Sequence, residues 1–279
     1  MHKSKKLRFL IAFLALVAIE RFCYVQTAGF RLGKIHSDFV YEGAPIATEE
    51  KQEVLAQPFR FLGSGVQCYA FLSQDGTTVL KVFKHYHNFP IEGFLKEVPL
   101  PPLFQRWRAH ILERRKTRLE SIFASCELAY SEWRKESGLL FIHLHPTKTL
   151  KQKLTLIDKL GIAHKIDLDQ TAFILQKRVE MFSEKMERLR QNNDSEKIKE
   201  CLASLVSLIQ TRCEKGIENS DLRLERNIGF LGTQAVEIDL GSFRRISHME
   251  SQEEKRRELR ELKRFIKHSY PEYVEEKAF

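Results

Sequence analysis

The alternation of apolar and polar positions marks off the chain's elements. Phe9 to Ile19 is an unbroken run of eleven apolar residues behind the basic cluster Lys3, Lys5, Lys6 and Arg8. Glu20 and Arg21 interrupt it. A full span needs about 20 apolar residues, so residues 1–28 read as a signal peptide, or as a membrane anchor that carries two charges. Either reading keeps the basic end cytoplasmic and sends the rest outward. Residues 29–57, with Gly33, Gly43 and Pro45 and no sustained period, read as a linker. From Pro58 the period drops to that of short strands. Phe59 to Leu62, Tyr69 to Ser73 and Thr77 to Phe83 predict a small antiparallel sheet, with Gln74-Asp75-Gly76 as a hairpin turn.

Residues 84–101 are irregular, broken by Pro90, Gly93, Pro99 and Pro101. A long helix is predicted from Leu103 to Glu136, its stripe running through Trp107, Ile111, Leu119, Ile122, Phe123, Cys126, Tyr130 and Trp133. Leu139 to Leu144 predicts a strand, Lys148 to Leu160 a short helix and Thr171 to Val179 another strand. Helices follow at Met181 to Arg190 and Asp194 to Cys213, the second capped by Asp194 or Ser195. Ile228 to Leu231 and Ala235 to Ile238 predict a hairpin around Gly232-Thr233. Residues 250–268 predict a charged closing helix whose apolar edge is Leu259, Leu262, Phe265 and Ile266. Its mixed Glu and Lys/Arg read as a solvated, salt-bridged face.

Composition narrows the possibilities. A hydrophobic content of 43%, with 20 Phe among 279 residues, is enough for a packed core of one large domain or two lobes. The net charge of +9 favours acidic partners such as nucleotides or an anionic membrane. No nucleic-acid fingerprint accompanies it, and nucleic acid is not expected. The five cysteines form no C-x-x-C pair, so neither zinc nor a disulfide framework is indicated, and Cys126 and Cys201 read as buried thiols.

Chemistry concentrates in three places. Gly63-Ser64-Gly65 lies between two predicted strands, where glycines let backbone amides approach a phosphate. Lys81 lies in the strand Val79-Leu80-Lys81-Val82-Phe83, on the face shared with Val79 and Phe83. A helix glutamate, Glu120 or Glu127, is its candidate partner. The third place is Ser220-Asp221-Leu222-Arg223-Leu224-Glu225-Arg226-Asn227, followed by Ile238-Asp239-Leu240-Gly241. An aspartate, an asparagine and a later Asp-Leu-Gly behind a strand have the layout of a phosphoryl-transfer site.

In this order the motifs resemble those of the protein-kinase-like superfamily, which includes aminoglycoside phosphotransferases and lipopolysaccharide core kinases. The resemblance covers about residues 58–245. It implies a bilobal α+β fold, with an N-lobe at 58–179 and a truncated C-lobe at 180–279. It implies Asp221 as catalytic base, Arg223 contacting the transferred phosphate, and Asn227 and Asp239 binding magnesium. Gly63, Ser64, Gly65 and Lys81, with Glu120 or Glu127, would hold ATP, and Gln176 to Val179 would be the hinge at adenine.

The departures are specific. Asn227 stands six positions after Asp221, where the family has five; Asn219 replaces the usual His; Cys68 replaces a third glycine. Only 38 residues follow Gly241, with no A-P-E segment, so a peptide-binding lobe has no room. The resulting expectation is an ATP- and Mg2+-dependent phosphotransferase acting on a hydroxyl of a small-molecule, lipid-linked or protein acceptor. The alternative is a pseudokinase serving as a membrane-associated or secreted scaffold. A further class is a basic, membrane-attached interaction protein.

Overall fold

The computed structural model describes residues 2–36, 39, 41–43, 52–85, 99, 101–221 and 223–273. Much of the linker, nearly all of the irregular stretch at 84–101, and Leu222 therefore lie outside the described residues. The fold is α+β. Its helices are α1 (His2–Thr27), α2 (Gln52–Leu55), α3 (Pro102–Glu132), α4 (Phe182–Gln191), α5 (Ser195–Glu214), α6 (Leu224–Asn227) and α7 (His248–Ser269). The strands begin with β1 (Phe59–Ser64), β2 (Cys68–Ser73), β3 (Thr78–Phe83), β4 (Leu139–His143), β5 (Lys153–Ile157) and β6 (Ala163–Asp167). They continue with β7 (Phe173–Lys177), β8 (Glu180–Met181), β9 (Ile217–Asn219), β10 (Ile228–Leu231), β11 (Gln234–Glu237) and β12 (Phe243–Arg245). The chain divides into two compact units, one of residues 1–40, 47–108 and 145–173, the other of 41–46, 109–144 and 174–279.

In the first unit β1, β2 and β3 make the expected antiparallel ladder, with Phe61 opposite Phe71 and Phe71 opposite Leu80. The hairpin closes as Asp-Gly chemistry requires: Gly76 takes φ +73° and Asp75 Oδ1 accepts from Ser73 Oγ, at 2.6 Å. Tyr69, Phe71, Leu80 and Val82 point to the buried side, whereas Val79 and Lys81 lie on the half-open one. β5 extends the sheet by running parallel to β1, and β6 returns antiparallel to β5. This differs from the helix expected over 148–160. Leu154 and Leu156 are buried while Lys153 is exposed and Thr155 and Ile157 are half-buried, a two-residue period that only a strand satisfies.

α1 is joined to this unit through its last two turns. Glu20 pairs with Arg31 at 2.7 Å, and the Tyr69 hydroxyl donates to the Gly29 carbonyl. Gly29 has φ +70°, and a Cβ there would sit 2.6 Å from the Tyr24 ring, so any other residue would be strained and would have to displace the ring. Phe30 and Ile35, within the stretch read as linker, are buried.

The second unit packs helices against short sheets. α3 buries Leu119, Ile122, Phe123, Cys126 and Ala129, but Trp107, at the head of its predicted stripe, is 51% exposed. α5 is capped by Asp194, whose carboxylate accepts from the Lys197 amide. It buries Ile198, Leu202, Leu205 and Ile209, as its spacing predicts. β10 pairs with β11 and β8, and β12 with β9. α7 opens with a capping box between Ser247 and Glu250. Its buried stripe begins with Ser251, Glu254 and Glu258 before Leu262 and Ile266, so two charges read as solvated are interior. Cys126, Cys201 and Cys213 are buried, and burial pushes the thiols of Cys201 and Cys213 up to about 11.

Candidate functional site

The residues singled out in the sequence fall into two groups, one in each unit. Gly63, Ser64, Gly65 and Lys81 belong to the first; Glu120, Glu127, Asp221, Arg223, Asn227 and Asp239 belong to the second.

In the first group, the register sets Lys81 opposite Ala70 and Ala70 opposite Gly63. Lys81 thus stands in a row with two residues of little or no side chain. Gly63 and Gly65 have ordinary φ values, and a Cβ on either would meet nothing closer than 3.7 Å. Neither glycine is demanded by the backbone. The cation that meets the loop is Lys84, which sequence reasoning leaves as a strand-end residue. Its Nζ donates to Ser64 Oγ at 2.8 Å and to the Gly65 carbonyl at 2.5 Å. It also lies 4.1 Å from the Tyr69 ring centroid. Burial holds its pKa down at about 8. A lysine three positions after Lys81 returns to the same strand end, and no composition signal separates the two.

In the second group, the loop and the acidic strand end are stitched together by Asn219. This residue ends β9 with its side chain buried. Its Oδ1 accepts from the Asp221 amide at 3.0 Å and from Ser242 Oγ at 2.6 Å. Its Nδ2 donates to Glu237 Oε1, at 2.7 Å, at the end of β11. The loop therefore has an anchor despite the missing His. Asn227 then closes the loop: its Nδ2 donates to the Asp221 carbonyl at 2.7 Å, and its own carbonyl accepts from the Ile238 amide at 2.8 Å. The helical turn α6 absorbs the extra residue between Asp221 and Asn227. Asp239 is half-buried, and its Oδ1 accepts from the Gly241 amide at 3.2 Å. Asp221 is exposed and pairs with Arg223 Nε at 3.0 Å.

The glutamates have partners inside their own unit. Glu127 Oε2 accepts from the Tyr41 hydroxyl at 2.9 Å, while Glu120 is a half-exposed helix residue 3.8 Å from Lys116.

Below the loop lies a buried charge cluster. Arg212 approaches Glu237 Oε2 at 3.3 Å and pairs with Glu258, all three being almost fully buried. Trp133 Nε1 donates to Glu237 Oε2 at 3.1 Å. Burial raises the pKa values of Glu237 and Glu258 despite Arg212, and Glu254 raises that of Glu258 further. On the loop's flank a cavity of about 550 Å³ is lined by Ile209, Leu224, Leu262 and Phe265, with Arg223 and Glu261 among its charged residues.

Among the described residues no cluster of three or more His, Cys, Asp or Glu forms a ready metal site.

No protein-family model matches the chain, and no curated protein matches it. Solved structures with similarity include the bifunctional kinase-methyltransferase WbdD, at 13% identity and TM-score 0.32 over 65% of this chain and 31% of that one. Another is Rv3197 of Mycobacterium tuberculosis in complex with erythromycin, at 14% identity and TM-score 0.35 over 70% of this chain and 48% of that one. The chain thus matches about a third and about a half of those two proteins' lengths. Both TM-scores are low, and the functional reading rests on the residues themselves.

α1 contains the stretch Arg8–Thr27, with mean hydropathy 1.8 and no part of it buried, which is long and apolar enough to cross a membrane or to serve as a signal.

Proposed function

We propose that this chain is a membrane-anchored kinase-like phosphotransferase that moves a phosphoryl group from Mg-ATP to a hydroxyl. The observation that carries the reading is the closed loop of the second unit, in which Asn219 and Asn227 bind Asp221 and the strand leading to Asp239 into one constellation.

Asp221, exposed at the loop's mouth, accepts the proton of the acceptor hydroxyl as the hydroxyl oxygen bonds to the γ-phosphorus and the bond from that phosphorus to the departing ADP breaks. Arg223, already paired with it, turns to the equatorial oxygens of the group in transfer. Asn227 uses Nδ2 to hold the loop, which leaves Oδ1 as its metal ligand, and Asp239 offers the carboxylate oxygen that Gly241 does not use. Bound magnesium would neutralise the charge developing on the β- and γ-oxygens. Lys81 and the Gly63-Ser64-Gly65 amides hold phosphates in this reading. The cavity beside Arg223 suits a small acceptor with an apolar body and polar ends. Anchoring rather than cleavage is favoured because the end of α1 meets the folded unit, the Val25 carbonyl accepting from Lys159 Nζ at 3.3 Å and the Tyr24 ring lying 5.6 Å from the Lys34 ammonium.

A second reading, an inactive scaffold, is favoured by Lys84, which occupies the glycine loop with its own ammonium, and by Glu127, whose carboxylate is engaged by Tyr41.

Thermal unfolding with ATP, with and without magnesium, separates the two readings. Phosphotransfer requires a magnesium-dependent stabilisation of the wild type that Lys81→Ala weakens and Asp239→Ala abolishes. A wild type indifferent to Mg-ATP sinks the catalytic reading and leaves the scaffold.

A further inference from the structure

The turn between β5 and β6 holds two aliphatic side chains away from the protein. Leu160 and Ile162 are each 53% exposed, on either side of Gly161, whose φ is +84°. The turn is heavily bonded. Asp158 Oδ1 accepts from the amides of both Leu160 and Ile162, each at 2.9 Å, and Oδ2 pairs with His164 Nε2 at 2.8 Å. The Asp158 amide donates to the Ile162 carbonyl at 2.9 Å, and the Gly161 amide returns to the Asp158 carbonyl at 3.0 Å. A carboxylate spent on ordering such a tip fixes two apolar groups in water, where their exposure costs free energy.

Scattered exposed aliphatics are ordinary on a protein surface; here position gives them meaning. Lys159 Nζ, in the same turn, donates to the Val25 carbonyl at 3.3 Å, in the last turn of α1. The tip therefore sits beside the end of the helix that is apolar enough to cross a membrane. That end has the composition of a headgroup layer. The Tyr24 ring lies 5.6 Å from the Arg21 guanidinium and 5.6 Å from the Lys34 ammonium, with Arg31 close by on Glu20. Aromatic rings with cations around them belong at a bilayer interface.

We propose that the Lys159–Ile162 turn is a second membrane contact. Leu160 and Ile162 enter the boundary between headgroups and acyl chains, and the exposed Lys159 and Arg21 meet lipid phosphates. The occupant is the surface of an anionic bilayer. The inference rests on the anchor reading of α1, and with two contacts the first unit cannot turn freely about the helix axis.

The test uses the full chain reconstituted in phosphatidylcholine–phosphatidylglycerol vesicles. The reporter is L160W in a W107F background, so that only buried Trp133 remains beside it; I162W is a second reporter. Flotation of each sample tests the anchor independently. Lipids brominated near the headgroup end of the acyl chains should quench either reporter about twofold, and vesicles should shield it from acrylamide. Floating protein whose reporters ignore the bromines and stay open to acrylamide overturns the second contact and leaves the anchor standing. Protein that does not float overturns both.

Discussion

Asn227 and Asp221 are joined by a hydrogen bond from the Asn227 side-chain Nδ2 to the Asp221 carbonyl at 2.7 Å. That bond makes a closed loop out of a sequence one residue longer than the kinase pattern, and the proposed function asks the Oδ1 of the same side chain to serve as a ligand.

Asn227→Ala loses both functions, and Asn227→Asp loses only the donor. The alanine variant should unfold about 1–3 kcal/mol more easily, because the Asp221 carbonyl is left without its partner. Calorimetric titration with Mg-ATP should then rank wild type above the aspartate variant and the aspartate above alanine. Equal binding by alanine and wild type would assign Asn227 to the loop alone.

Asn219 has a larger structural load, since it serves Asp221, Ser242 and Glu237 at once. Asn219→Ala leaves several buried groups unpaired, and a loss on the order of 3 kcal/mol is expected in urea unfolding. Asn219→His, the residue of the kinase pattern, should recover part of it. A variant as stable as wild type would mean that water replaces the side chain.

The raised carboxyl of Glu258 fixes a sign for pH dependence. Its folded pKa, pushed up to about 7 by burial, lies above its unfolded value. Between those values the folded chain keeps a proton that the unfolded chain has released, so stability is present at low pH and is lost as pH rises through the folded value. Glu237 acts in the same direction. Asp158 and Asp169, with lowered values, act oppositely and only at more acid pH. The urea midpoint should therefore be higher near about pH 5 than near about pH 7.5, and Glu258→Gln should flatten the difference. An unchanged slope in that variant would place the titration elsewhere.

Lys84, at about 8, should be the lysine most reactive toward acetic anhydride in mildly alkaline solution, since its neutral fraction exceeds that of an ordinary lysine. Peptide mass spectrometry reads the site directly. Mg-ATP should protect it if phosphates displace the ammonium from Ser64 and Gly65. Equal labelling with and without nucleotide would mean that the loop is a closed turn.

Local chemistry was legible in the sequence where it acts alone. The Asp75-Gly76 hairpin, the Asp194 cap, the α5 stripe and the β10–β11 hairpin each depend on residues within a turn or two, and the structure has them where their periods and caps predict. What was not legible depends on partners far along the chain. Glu258 looks like one more charge on a charged helix until Arg212, 46 residues earlier, meets it in the interior. Asn219 looks like a departure from a motif until Ser242 and Glu237 arrive to use it. Over 148–160 the leucines suggested a helix because their two-residue alternation is short, and only pairing with β1 and β6 makes it decisive. Lys81 and Lys84 differ by register and not by type, so spacing alone could not say which one meets the glycine loop.

Arg212 gives the closing helix a consequence of its own. One of the two carboxylates that balance this guanidinium is Glu237 at the end of β11, just before Asp239, and the other comes from α7. A protein shortened before α7 would keep every residue of the acidic loop but lose Glu258 together with the buried Leu262 and Ile266, so Arg212 would lose both a partner and its cover. The last helix is thus part of the foundation on which the loop stands, and a deletion designed to isolate the loop would undermine it from beneath.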